Sequence, residues 1–330
     1  MNITIIGDGG WGTAIGLLLN GYGHAVTLWG PFSDYLDEIR AAQENKRYLP
    51  GVPLPDTLRW TADPATAAAG ADLVVLAMPS KFFAEVCRTF AAHIPSGTPV
   101  VSLTKGLCEV THCRMSELAQ DILGLDRIAV LSGPSHAEEV ARKIPTAVVA
   151  ASADVDLARH IQQVFSGPSF RVYTSADPLG VEVGGAVKNV IAIAVGASDG
   201  LGFGDNTRAA LITRGLAEVT RFGIALGARP ETLAGLSGVG DLIVTCTSAH
   251  SRNHSVGMRL GQGEAIGDIL GSMKMVAEGV WNAKVIHALA QKFTISMPIT
   301  EVVYGLCYGD LSAATAVGQL MSRDAKPERG

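Results

Sequence analysis

Lys188 and Asn189 stand in the middle of an apolar stretch, Val181 to Ala197, among Gly184, Gly185, Ala192 and Val195. Desolvation penalises an ammonium in such surroundings and lowers its pKa unless a carboxylate restores it. An amine balanced between charged and neutral can accept the proton of an alcohol losing hydride, or return it to a ketone gaining one. The bland alternatives are a lysine that carries its charge out to solvent along its stem, or one in a structural ion pair. Asp241, at the end of Gly-Val-Gly-Asp and before the apolar run Leu242 to Val244, has two readings. It is the N-cap of the next helix, or the carboxylate that orients Lys188 and binds a substrate hydroxyl.

Ser251, Arg252 and Asn253 form a polar cluster between apolar stretches. A guanidinium flanked by hydroxyl and amide donors suits a phosphate dianion, and the alternative is a solvated loop. Lys105 follows Val-Ser-Leu-Thr, and Gly133 with Ser135 follows Val-Leu-Ser. Both places are carboxyl ends of expected strands, where open α/β sheets bind ligands. Cys108, His112 and Cys113 lack the four-ligand spacing of a zinc site and read as a packed, reduced pair near a helix start. No metal is expected.

Gly7, Gly9 and Gly12 spell G-x-G-x-x-G directly after a strand-like run and at the start of the helical run Trp11 to Asn20. The first glycine permits the tight turn, the second the close approach of a pyrophosphate, and the third the packing of helix on strand. The helix N-terminus adds free N–H groups. This is a dinucleotide site of the Rossmann kind, for NAD or NADP. The fingerprint also asks for an acidic residue about twenty positions on, to hold the ribose 2′-hydroxyl of NAD. That point reads Leu-Trp-Gly-Pro-Phe-Ser, and Gly30 and Pro31 offer neither that carboxylate nor an arginine for a 2′-phosphate. The choice between NAD and NADP therefore stays open.

These residues need a scaffold with two parts. Short β-branched runs alternate with helical patterns through the first half, at Asn2 to Ile6, Ala25 to Trp29, Leu73 to Met78, Val100 to Leu103, Ile128 to Leu131 and Thr146 to Ala150. That rhythm predicts βαβ units and an N-terminal Rossmann-type, doubly wound, mostly parallel sheet. After Asp177 the strand signals stop, and Val183, Ala186, Val187, Val190, Ile191 and Ala194 share one helix face. An all-α C-terminal domain should follow. Residues 1–178 are expected to be the NAD(P)-binding domain and residues 179–330 the substrate and catalytic domain.

The bulk properties agree with this plan. A chain of 330 residues suits two domains, and 48% hydrophobic with 17% charged residues excludes a disordered chain. The 38 glycines form no repeat, so turns and close helix packing are their expected use. A net charge of −5 argues against nucleic acid or anionic lipid as partners, which require a basic face. Five scattered cysteines fit a reducing compartment, and the opening MNITIIG reads as a strand of the fold, not a cleaved leader. Val181 to Ala197 falls short of the about 20 residues that cross a bilayer, so it reads as a core helix and no membrane insertion is expected.

Taken in order, Gly-Asp-Gly-Gly-Trp-Gly-Thr-Ala, Arg-Tyr-Leu-Pro-Gly-Val, Leu-Thr-Lys-Gly-Leu, Leu-Ser-Gly-Pro-Ser-His-Ala, Val-Lys-Asn-Val-Ile-Ala, Gly-Val-Gly-Asp-Leu and Ser-Arg-Asn resemble the bacterial NAD(P)-dependent sn-glycerol-3-phosphate dehydrogenase family. The resemblance implies an oxidoreductase that interconverts dihydroxyacetone phosphate and sn-glycerol 3-phosphate for phospholipid synthesis, in the cytoplasm and as a homodimer. It implies Lys188 as proton acceptor, Lys105 in contact with cofactor and substrate, and Asp241 with Asn189 around the substrate hydroxyls. Gly133, Ser135, Ser251, Arg252 and Asn253 would hold glycerol phosphate. Gly10, Trp11, Ala137, Val276 and Glu278 would touch NAD(P), with Arg252 serving both ligands. Gly30 and Pro31 depart from relatives that carry a basic residue just after the Trp of the second strand. A β-hydroxyacid or 6-phosphogluconate dehydrogenase shares the same general plan. A sensor of NAD(P)H would keep the cofactor fold without needing the lysines and the arginine.

Overall fold

A computed structural model describes residues 1–273, 275–325 and 327–328 of the chain. Lys274, Lys326, Arg329 and Gly330, part of the expected helical half, lie outside the described residues.

The first half builds one eight-stranded sheet from β1 (Asn2–Ile6), β2 (Ala25–Trp29), β3 (Arg59–Thr61), β4 (Leu73–Leu76), β5 (Val100–Ser102), β6 (Ile128–Ser132), β7 (Thr146–Ala151) and β8 (Phe170–Ser175). Their spatial order is β3-β2-β1-β4-β5-β6-β7-β8. The first six strands run parallel in the doubly wound order of dinucleotide-binding sheets, with the switch of direction between β1 and β4. β7 turns antiparallel against β6, and β8 runs parallel to β7. Buried Ile, Leu and Val side chains from β1, β2, β4 and β5 give this sheet one core on each face. That is the pattern of strands covered on both sides.

Two strands escaped the sequence reading. β3 is three residues long, and β8 alternates buried with exposed positions, Phe170 and Val172 inward and Arg171 and Tyr173 outward. The turn between Cys108 and Cys113 also differs from the expected helix start. Leu107 and Arg114 pair as an antiparallel bridge around it, and the helix begins only at Met115. All five cysteines are free thiols.

Among the described residues no strand follows Ser175. The helix Pro178–Gly200 starts with its Asp177 side chain accepting from the Gly180 N–H and with proline in its first turn. It is long and apolar enough to cross a membrane by length and composition, yet 94% of the relevant window is buried in protein. Helices Asp205–Leu226, Asp241–Thr247, Arg252–Gly261, Glu278–Lys292 and Pro298–Tyr308 pack around it. Here the glycines find their use. A Cβ at Gly196 would lie 2.1 Å from the His254 carbonyl oxygen, and one at Gly257 would lie 2.0 Å from that of Ile193. The helices Pro178–Gly200 and Arg252–Gly261 thus touch backbone to backbone.

The start of the central helix is anchored to the sheet half. Glu182, buried, accepts from the Arg114 guanidinium at 2.7 Å, the Ser116 N–H at 2.9 Å and the Ser116 hydroxyl at 2.6 Å. Lys188, one and a half turns further on, is thereby held over the carboxyl ends of β5 and β6.

Candidate active site

Lys188 lies in the central helix with 5% of its surface exposed. Its Nζ donates to Asp241 Oδ1 at 2.5 Å and to Thr245 Oγ1 at 2.8 Å. Asp241 is itself 1% exposed, and its other oxygen accepts from Lys105 Nζ at 2.7 Å. Lys105 also donates to the Gly133 carbonyl oxygen at 3.0 Å. Burial drives the Lys188 pKa down to about 7; the Asp241 carboxylate opposes the fall and the second ammonium of Lys105 adds to it. An amine so placed exchanges a proton near neutrality.

The backbone explains why these groups meet. Lys105 and Gly133 follow the neighbouring parallel strands β5 and β6, so their loops emerge side by side. Gly133 has φ +147°, and a Cβ there would meet the Val148 Cα at 2.9 Å, so glycine is required where its carbonyl turns toward Lys105. The Ser135 hydroxyl donates to the same carbonyl at 2.8 Å. Asp241 is delivered by a π-helical turn, Leu236–Gly240, that runs into the helix Asp241–Thr247. This turn fits against the central helix because Gly184 has no side chain; a Cβ there would lie 2.6 Å from the Ser237 carbonyl oxygen. π turns of this kind occur often at functional sites. Asp241 is the first residue of its helix and caps nothing, which removes the N-cap reading.

Ser251 to Asn253 are not a solvated loop. Ser251 is the N-cap of the ten-residue helix Arg252–Gly261, its hydroxyl accepting from the His254 N–H at 3.2 Å. Asn253 is buried, donates to Asn189 Oδ1 at 2.9 Å and accepts from the Gly279 N–H at 2.8 Å. Asn253 thus ties its own helix to the central helix at Asn189, beside Lys188, and to the helix Glu278–Lys292 at Gly279. The Arg252 guanidinium is exposed and donates to the Val276 carbonyl at 2.9 Å. Glu278 reaches the sheet half, accepting from the Ser80 N–H at 2.9 Å and from the Ser80 hydroxyl just beyond β4.

The glycine turn sits at the switch point. Gly7 has φ +128°, and a Cβ on it would lie 2.7 Å from the Ala77 carbonyl oxygen; a Cβ on Gly12 would lie 2.1 Å from that of Gly7. Gly9, by contrast, has nothing within 4 Å of its missing Cβ and caps the helix Gly10–Gly21 with no side chain bonded to the first N–H groups. Open space in front of free helical N–H groups fits a pyrophosphate. A Cβ on Gly10 would lie 3.8 Å from that of Ala137, so the helix Ala137–Ala141 flanks the turn, and Trp11 packs its ring against the adjoining core.

Three contributors had no place in the sequence reading. Thr245 is one helical turn beyond Asp241, a spacing that would have found it once Asp241 was placed at a helix start. His136, between Ser135 and Ala137, has a buried Nε2 with no partner among the described residues. Burial lowers its pKa, and the Lys188 and Lys105 charges lower it further. Asp8 brings its carboxylate against Gly30 at the end of β2. Among the described residues no cluster of three or more His, Cys, Asp or Glu could hold a metal.

A Rossmann sheet with a glycine turn at its switch point, joined to a helical half that buries a lysine on a carboxylate, defines a two-part NAD(P)-dependent oxidoreductase. Models of the NAD-dependent glycerol-3-phosphate dehydrogenase N-terminus and C-terminus match residues 2–158 and 177–318. The chain belongs to that family. It is 50% identical to a glycerol-3-phosphate dehydrogenase [NAD(P)+] of Geobacter metallireducens, over 99% of each chain. A relative of the same name from Pelotomaculum thermopropionicum is 48% identical over 97% of this chain and 93% of its own. The crystal structure of glycerol-3-phosphate dehydrogenase from Coxiella burnetii is similar with a TM-score of 0.94 at 42% identity, covering 98% of this chain and 99% of that one.

Proposed function

We propose that the chain reduces dihydroxyacetone phosphate to sn-glycerol 3-phosphate, reversibly, with NADH or NADPH, and that Lys188 exchanges the substrate proton. The relatives bear glycerol-3-phosphate dehydrogenase in their names. The single observation that carries the chemistry is the buried Lys188 ammonium 2.5 Å from Asp241. A sensor of NAD(P)H would have no use for it.

When bound, the nicotinamide supplies the hydride to the carbonyl carbon. Lys188 gives a proton from Nζ to the carbonyl oxygen as that oxygen takes the electron pair of the C=O bond, and the neutral amine regains a proton from water. In the reverse direction the neutral amine removes the hydroxyl proton. An ammonium has three N–H donors, and Asp241 with Thr245 uses two of them, so one remains for the substrate oxygen. Lys105, also two-thirds engaged, offers its remaining N–H on the other side of Asp241. Ser251, Arg252 and Asn253 hold the phosphate at a helix N-terminus, where backbone N–H groups and a guanidinium favour a dianion. Gly133, Ser135 and Asn189 complete the substrate side, and Gly10, Trp11, Ala137, Val276 and Glu278 the cofactor side. Phosphate binding remote from the reacting carbon is thereby converted into orientation.

The same reading divides the chain into a cofactor unit, 1–178, and a substrate unit, 179–330, and makes the protein a cytoplasmic homodimer in phospholipid synthesis. Five free thiols suit a reducing compartment, and sedimentation of the purified protein tests the dimer. The activity is tested by following oxidation of NADH and of NADPH with dihydroxyacetone phosphate, and with β-hydroxyacids and 6-phosphogluconate as competitors. Failure of dihydroxyacetone phosphate to promote oxidation of either cofactor would overturn the proposal.

A further inference from the structure

We infer that Asp8 is the residue that selects NAD over NADP, taking over the post that the end of β2 leaves vacant. The inference rests on the cofactor site proposed above and deepens it.

In a doubly wound sheet the adenine ribose lies at the carboxyl end of the second strand, and a carboxylate there accepts from its 2′-hydroxyl. This chain has Gly30 and Pro31 after β2. A Cβ on Gly30 would lie 2.5 Å from Asp8 Oδ2, 2.6 Å from its Cγ and 2.9 Å from its Cβ. The Asp8 side chain therefore fills the space that a side chain at position 30 would occupy. The two strand ends are joined directly, Gly7 N–H donating to the Trp29 carbonyl at 2.9 Å. The acid thus comes from inside the glycine turn, two residues after β1.

The position of Asp8 is held from behind. Asn45 donates to the Asp8 carbonyl at 2.8 Å and to Thr13 Oγ1 at 2.8 Å, and it accepts from the Tyr35 hydroxyl at 2.5 Å. Asn45 is fully buried and its side chain also accepts from the Tyr48 N–H at 3.1 Å, so the loop following β1 is pinned to the segment at Tyr48. The carboxylate itself receives no hydrogen bond from another described residue and forms no ion pair with one. Its oxygens thus keep acceptor capacity beside Gly30, at the carboxyl end of β2, where the ribose hydroxyls of a bound dinucleotide would lie. Burial raises its pKa, which is the mark of an anion short of donors; Arg47 nearby opposes the rise. Arg47 is occupied in stacking on Tyr35, 4.2 Å from the ring centroid. A ribose diol satisfies the Asp8 oxygens, whereas a 2′-phosphate would set a dianion against them.

The test is direct binding, which is independent of turnover. Dissociation constants for NADH and NADPH are measured by calorimetry on the wild type, Asp8→Ser and Asp8→Asn, with thermal unfolding as a check on folding. Wild type should bind NADH at least about tenfold more tightly than NADPH, the scale of one hydrogen bond to a charged group. Asp8→Ser should bring the two constants within a few-fold by weakening NADH and strengthening NADPH. Asp8→Asn, which keeps the shape and loses the charge, should mainly strengthen NADPH. Gly30→Ala, whose methyl would displace the carboxylate, should move the ratio the same way. Equal or tighter NADPH binding by the wild type, with Arg47→Gln abolishing it, would overturn the inference and transfer the selection to Arg47. An unchanged ratio in folded Asp8→Ser would also overturn it. A protein that binds NADH through Asp8 but leaves dihydroxyacetone phosphate unreduced would refute the proposed activity and uphold the inference.

Discussion

The Asp241 carboxylate sits 2.5 Å from the Lys188 ammonium inside the protein, with its second oxygen given to Lys105. One negative charge thus serves two positive ones, and with both lysines protonated the three groups together carry net positive charge where a carbonyl oxygen would gain negative charge. Removal of one partner of such a buried set leaves the other uncompensated.

Lys188→Ala removes the acid and base together. Turnover of dihydroxyacetone phosphate should fall by roughly 10² to 10⁴-fold, the range for a lost acid-base group, while NADH binding remains because the glycine turn belongs to the sheet half. Steady-state kinetics with fluorescence titration of NADH checks both halves of this expectation. Near-wild-type turnover would exclude Lys188 as the proton carrier.

The pH dependence follows from Lys188 titrating at about 7. Ketone reduction needs the ammonium, so its kcat/KM should fall as pH rises through about 7. Alcohol oxidation needs the free amine and should rise over the same interval. Asp241 is the group that holds the lysine pKa up against burial. Asp241→Asn should therefore move both limbs to lower pH, besides slowing the reaction. Profiles that stay in place in that variant would show that a different group titrates.

Much of this was legible because the chemistry leaves local marks. A lysine inside Val181 to Ala197 and a G-x-G-x-x-G after a strand are visible without coordinates, and six of the eight strands appear where the β-branched runs put them. What escaped depends on contacts between distant segments. β3 and β8 were missed because Arg59 to Thr61 offers a single apolar residue where the equally short β5 offers Val100 and Val101, and because Phe170 to Ser175 is an edge strand with one wet face. Asp241 kept two readings, helix cap and partner of Lys188, because the π turn before it has no sequence signature. Asp8 was overlooked because the fingerprint is searched for an acid on β2 and not inside the turn itself.

Glu182 should be a stability residue and not a kinetic one. It accepts three hydrogen bonds from Arg114 and Ser116 across the junction of the two halves. Glu182→Ala leaves the Ser116 N–H and hydroxyl without this acceptor and the Arg114 guanidinium with Glu117 as its remaining carboxylate, at a cost of about 1–3 kcal/mol for each buried donor left unmet. Urea denaturation should show that loss, with kcat per folded molecule little changed. A drop in kcat as large as that of Lys188→Ala would mean that Glu182 sets the position of the catalytic helix.

Gly9 and Gly12 separate binding from folding within one motif. The missing Cβ of Gly9 faces empty space, and its φ of −67° is open to any L-residue, so Gly9→Val should leave stability within about 0.5 kcal/mol, as for substitutions free of packing. Its side chain would nevertheless stand where the pyrophosphate must approach the helix N–H groups, and NADH affinity should fall by more than about tenfold, the loss of at least one charge-assisted hydrogen bond. Gly12→Ala reverses the balance. Its Cβ would lie 2.1 Å from the Gly7 carbonyl oxygen, so helix and strand must separate and the melting temperature must drop. Melting curves and NADH titrations on the two variants decide the matter, for equal losses of stability would mean that Gly9 is there to fold the turn and not to admit a phosphate.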